Sequence, residues 1–98
     1  DWLKLGFDVE KAGRYELEMQ LVKSYDYGTI EVYLDGKQIS GEIDLYSSNV
    51  KGTGGMDMGV FKLDEGQHEL KFEIVGANEQ AKKEYMVGID YVLLKAVE

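Results

Sequence analysis

Apolar and polar residues alternate along most of this chain, and the period is two. Leu3, Leu5, Phe7 and Val9 share one face, with Lys4, Asp8 and Glu10 on the other. That spacing predicts a half-buried strand, because successive side chains of an extended backbone point to opposite faces. Residues 11–13 read as a turn. Tyr15, Leu17, Met19 and Leu21 then alternate with Arg14, Glu16, Glu18 and Gln20, as in an antiparallel strand with one face wet. A loop is expected over residues 24–28, Ser-Tyr-Asp-Tyr-Gly. Ile30, Val32 and Leu34 resume the alternation, and Asp35-Gly36 predicts a tight hairpin, since that turn needs positive φ. Residues 37–46 should return as a short, ragged strand ending near Ile43 and Leu45.

The pattern weakens after that. Residues 47–59 hold Gly52, Gly54, Gly55 and Gly59 with little periodicity, and they predict a long loop. Residues 60–63 predict a short strand and 64–66 a second hairpin turn. His68, Leu70, Phe72 and Ile74 alternate with Glu69, Lys71 and Glu73. Residues 76–84 are polar and read equally as a plain loop or one helical turn capped by Asn78. The last strand is expected over 85–97. Met86, Val87, Ile89, Tyr91, Val92, Leu93 and Leu94 load both its faces, which predicts a central strand covered on both sides. About seven to eight short strands between turn signals predict an all-β antiparallel sandwich.

Composition agrees with that architecture. Seven tyrosines, twelve glycines and no proline favour strands joined by glycine turns. A chain of 98 residues makes one domain. Its net charge of −8 comes from 19 acidic against 11 basic residues, with Arg14 the single arginine. Neutralising phosphates takes clustered Lys and Arg, so nucleic acid and anionic membrane surfaces are not expected partners. Without cysteine there is no disulfide, thiolate metal site or thiol nucleophile. No apolar run approaches the roughly 18 residues that cross a bilayer, so membrane insertion is not expected. The first residues already read as folded structure, and the expectation is a single module over 1–98 cut from a larger protein.

A series of short motifs runs through the chain in order. They are Tyr25-Asp26-Tyr27-Gly28, Val32-Tyr33-Leu34-Asp35-Gly36, Asp44-Leu45-Tyr46, Gly59 to Leu63 and Gly66-Gln67-His68-Glu69-Leu70, then Val75-Gly76-Ala77-Asn78 and Tyr85-Met86-Val87-Gly88-Ile89-Asp90-Tyr91. The series resembles the C-terminal sandwich module of large bacterial proteins that carry a glycoside-hydrolase-like domain of unknown function. The resemblance implies a jelly-roll, galactose-binding-like fold appended to a neighbouring catalytic domain, in the periplasm or outside the cell. The resemblance leaves a structural calcium near the chain ends as an alternative to having no cofactor. Asp1, Asp8, Glu10 and Glu98 lie there, but no Asp-x-Asp-x-Asp-Gly run accompanies them.

Sugar binding needs an aromatic face to stack on a pyranose ring and planar polar groups to bond its hydroxyls. Tyr25, Asp26 and Tyr27 supply both in one loop, and Tyr46, Asn49 and Asn78 could join from two others. The same residues also fit a structural part, covering the sandwich edge and bonding turn backbone. Trp2 is out of phase with the apolar face, and its expected place is exposed at an interdomain contact. His68 is expected to be a structural histidine bonded to backbone. Asp90, within an apolar strand, is expected to pair with Arg14, Lys71 or a tyrosine hydroxyl. None of the common hydrolase, zinc-protease or phosphate-loop motifs is present, so catalysis is not expected. The sequence therefore supports a non-catalytic carbohydrate-binding module. The alternative is a structural interdomain or oligomerisation module without ligand.

Overall fold

The computed structural model describes residues 2–76 and 87–97. Nine strands occur among them: β1 (Trp2–Val9), β2 (Gly13–Lys23), β3 (Thr29–Leu34), β4 (Lys37–Gln38), β5 (Ile43–Asp44), β6 (Lys51–Gly52), β7 (Met56–Leu63), β8 (Gly66–Gly76) and β9 (Gly88–Val97). Every strand pairing is antiparallel. The chain forms the expected all-β sandwich of the jelly-roll kind.

One sheet runs β1, β8, β3, with the short β4 and β5 both on the far side of β3. The other is built on β2, with β9 along one side and β7, then β6, along the other. The alternation read from the sequence decides which faces meet. Leu17, Met19 and Leu21 of β2 are fully buried, as are Ile30 and Val32 of β3 and Leu70 and Phe72 of β8. Leu45, between β5 and β6, completes the core from a loop. Burying each such side chain is worth about 1.5–3 kcal/mol, so these few positions dominate the gross stabilisation.

Two expectations need correction. The first is the loop over 47–59. Lys51–Gly52 pairs with the end of β2, and β7 starts at Met56, not at Val60. A bulge hides the period there. Leu17 faces Gly59 while Glu18 faces Asp57, so Met58 is an extra residue on the β7 side. Gly59 takes a φ of 114°, and its N–H donates to Asp57 Oδ1 at 2.9 Å. Only glycine reaches that backbone region readily. Gly59→Ala is expected to cost about 1–3 kcal/mol of backbone strain. Phe61 Cζ, at 3.5 Å, leaves ordinary room for the added Cβ, so repacking is not the cause. Urea unfolding of the two proteins measures the difference.

The second correction concerns the last strand, which lies at an edge among the described residues. Among the described residues β9 pairs with β2 alone. A bulge at Asp90 sets Tyr91 against Gln20 and Ile89 against Leu21, so the inward phase slips by one residue. Ile89 faces in before the slip, and Val92 and Leu94, opposite Met19 and Leu17, face in after it. Tyr91 and Leu93 are left on the outer face and are exposed. The apolar load on both faces came from a phase change, not from two covering layers. Tyr85 and Met86 of the expected strand lie outside the described residues, as do the polar residues 77–84 and their helical alternative.

Candidate functional site

The end of the sandwich where β2 stops and β3 begins gathers most of the predicted site. Ser24, buried, fixes the geometry. Its N–H donates to Leu45 O at 3.0 Å, and its carbonyl accepts from Tyr27 N at 3.3 Å and Ser47 N at 3.1 Å. The first and last of these bonds lay the 45–47 segment beside the 24–27 turn, with Ser24 and Tyr46 forming an isolated parallel bridge. Leu45 N donates in turn to Gly28 O at 3.1 Å. The two irregular segments are thus one unit, held through backbone groups that sequence patterns do not reveal.

Tyr25, Asp26, Tyr27 and Tyr46 are brought together on this unit. Tyr25 stands at the tip and is 51% exposed, which leaves much of its ring open to a ligand. Tyr27 and Tyr46 are partly buried. Tyr27 lies across the first residue of β9, where a Cβ on Gly88 would sit 2.9 Å from its ring. That position needs a glycine for the close approach. Asn49 is exposed, and its N–H donates to Ser47 Oγ at 3.3 Å, which places it on the same segment. Asp44 Oδ1 accepts from Tyr46 N at 2.9 Å and shapes the approach to Tyr46. Asn78 lies outside the described residues. The strand ends that flank its segment, Gly76 opposite Thr29 and Gly88 opposite Val22, belong to this end of the sandwich.

Sequence reasoning missed two lysines here. Lys23, the last residue of β2, pairs in register with Lys51 of β6. Only the unexpected strand β6 makes them neighbours, so no sequence signal could have joined them.

The other singled-out residues lie elsewhere. His68 is at the opposite end. Its Nε2–H donates to the Asp64 carbonyl at 2.7 Å, the backbone bond expected, and its Nδ1–H donates to Asp35 Oδ2 at 2.6 Å. Both partners accept, so this pairing favours the form in which both ring nitrogens carry protons. The Asp35 carboxylate, seconded by the Asp64 carbonyl, accordingly raises the imidazole above its ordinary value. Phe7 stacks on the ring at 5.6 Å between centroids. Asp90 departs from its expected pairing. It is exposed, and it accepts from Gln20 Nε2 at 2.5 Å, not from Arg14, Lys71 or a tyrosine. The bulge turns it to solvent at the sheet edge. Beside it Tyr91 donates to Glu18 Oε2 at 2.7 Å, which lowers the Glu18 carboxyl and raises the Tyr91 phenol. Trp2 is 58% exposed as expected, with the Lys4 ammonium 4.6 Å above its ring. Among the described residues no three acidic or histidine side chains converge on a metal-sized site, and Asp1 and Glu98 lie outside them.

The sandwich has the fold of a β domain present in two solved glycan-processing enzymes. A Paenibacillus xanthan lyase superposes on it with a TM-score of 0.81 and 18% identity, over 99% of this chain and 9% of the lyase. An α-L-fucosidase from Vibrio sp. strain EJY3 superposes with a TM-score of 0.55 and 15% identity, over 95% of this chain and 19% of that enzyme. The chain thus spans less than a fifth of either protein, and at these identities the likeness establishes the fold. No protein-family model and no curated protein matches the sequence. No helix among the described residues is long and apolar enough to cross a membrane.

Proposed function

We propose that this domain is a non-catalytic carbohydrate-binding module, working beside a glycan-processing catalytic domain of the same polypeptide in the periplasm or outside the cell. The observation that carries the reading is the Ser24 unit, which joins the segment of half-exposed Tyr25, Asp26 and Tyr27 to that of Tyr46 and Asn49 through backbone bonds. A pyranose ring presents axial C–H groups that stack on an aromatic face, and its hydroxyls donate to carboxylate oxygens and exchange hydrogen bonds with amide groups. The enzymes that share the fold process glycans, which supports a related task here. Binding alone is proposed: among the described residues no histidine stands at the rim, since His68, the single histidine, has both nitrogens engaged at the other end.

The test is a titration of the nitrogen-15-labelled domain with neutral oligosaccharides, followed by amide peaks. Saturable shifts at residues 24–28 and 46–49 are expected, with dissociation constants on the order of millimolar. Tyr25→Ala should weaken binding about tenfold, the worth of one aromatic stack of about 1.5 kcal/mol. A folded domain showing no saturable shift with any neutral or acidic glycan would overturn the proposal.

One observation favours a second reading, a structural module that packs against its neighbour. Leu3 and Leu5 lie on the inward face of β1, yet they are 41% and 38% exposed. The second sheet does not cover them. If a neighbouring domain covers this seam, the amides of Leu3 and Leu5 will exchange far more slowly in the longer polypeptide than in the isolated domain.

A further inference from the structure

We infer that the ligand of the Tyr25 rim is an anionic glycan, its carboxylate or sulfate group held between Lys23 and Lys51. The inference rests on the carbohydrate-binding reading and narrows its substrate class. Lys23 and Lys51 are directly opposite across β2 and β6 and so project from the same face of the sheet. Side chains placed this way have Cβ atoms about 4.5–5.5 Å apart, and like charges there repel. Among the described residues neither lysine has an acidic partner, a state they share with Lys11, Lys37 and Lys62 but, unlike those three, hold directly opposite each other. In a chain with 19 acidic residues, two lysines set opposite each other without an acidic partner among the described residues are an unfavourable arrangement, unless an anion from outside joins them.

Their setting points to a sugar as the carrier of that anion. Lys23 is two residues from Tyr25 and Lys51 two from Asn49, so both lysines border the two segments that carry the rim. Lys23 is partly buried, which strengthens its pull on an anion relative to a fully solvated lysine. Arg14 opposite Lys62 is also a like-charge pair, but both members are exposed, and it lies at the far end from the Tyr25 rim. Among the described residues the acidic groups of the rim are Asp26 and Asp44, and an Asp44 oxygen is turned to the Tyr46 N–H. The overall charge of −8 does not cancel the local field, because at physiological salt charges beyond about 8 Å are largely screened.

Three matched ligands test this: galactotriose, trigalacturonate and a sulfated galactotriose, each titrated by amide shifts in the presence of a chelator. The acidic sugars, or one of them, should bind at least fivefold more tightly than galactotriose. The arm that does so identifies carboxylate or sulfate as the group recognised. Lys51→Gln, at an exposed position, should lose about fivefold for the acidic sugar, and the double variant with Lys23→Gln should bring it level with galactotriose. Raising sodium chloride should weaken acidic but not neutral binding. Equal binding of all three sugars by the unaltered domain would overturn the inference and leave the carbohydrate-binding reading standing. So would an acidic preference that survives in a folded double variant. Binding of none of them would overturn both.

Discussion

Phe72→Ala should destabilise the domain by about 3–5 kcal/mol, a large part of the 5–15 kcal/mol that holds a typical domain folded. Phe72 is fully buried at the centre of β8, flanked in register by Leu3 of β1 and Val32 of β3. Removing the ring leaves a cavity that the two fixed sheets cannot close. Leu3 gives the matched comparison. It points to the same face directly opposite Phe72, but it is 41% exposed. Leu3→Ala should therefore cost about 1 kcal/mol, since only part of the side chain leaves water on folding. Urea midpoints of the two variants read the contrast. A Leu3→Ala cost as large as that of Phe72→Ala would mean that the seam beside β1 is closed in solution. In a longer polypeptide whose neighbour covers the seam, the Leu3→Ala cost should rise.

Stability should also fall as the pH rises through the neutral range, and His68 sets the window. The imidazolium joins two turns: Asp35 belongs to the β3–β4 hairpin and Asp64 to the β7–β8 turn. Asp35 carries a φ of 50°, and its other carboxylate oxygen accepts from Glu69 N at 2.9 Å. The folded state raises the histidine above the ordinary value of about 6.5. The stabilisation is thus fully present below about pH 6.5, where the unfolded chain is protonated too. It declines above that as the unfolded chain releases its proton, and it is gone once the pH passes the folded value. His68 is the single histidine, so no other imidazole confuses the window. His68→Ala should cost about 1.5–3 kcal/mol at pH 6, the worth of charge-assisted hydrogen bonds, and less at pH 9. Asp35→Asn keeps the turn, because asparagine tolerates positive φ, but should flatten the pH profile. Urea midpoints at pH 5.5, 7 and 8.5 measure both. A profile for the unaltered domain as flat as that of Asp35→Asn would remove the imidazolium from the account.

Much of this molecule is legible in period two. The faces of β1, β2, β3 and β8 follow from which residues are apolar, because a strand slipped by one position would turn Leu17, Val32 or Phe72 to water. The Asp35-Gly36 turn follows as well, since both residues take the positive φ that the dipeptide accepts. The backbone partner of His68 could be expected because a phase that turns a polar ring inward demands a bond. The failures share a cause. Bulges at Met58 and Asp90 each insert one residue and invert the phase, so a true strand reads as a loop in one case and as doubly buried in the other.

For the candidate site, the sequence by itself determined the ingredients: the aromatic and carboxylate groups at Tyr25, Asp26 and Tyr27, and the break in alternation that makes them a loop. It also determined the sandwich, through the hydrophobic effect acting on alternating strands. Only the tertiary structure decided which pieces meet. The Ser24 backbone bonds set Tyr46 beside the loop, Gly88 receives the Tyr27 ring, and β6 brings Lys51 opposite Lys23. Backbone hydrogen bonds between segments far apart in the chain depend on register and not on side-chain identity, so they leave no mark in the order of residues.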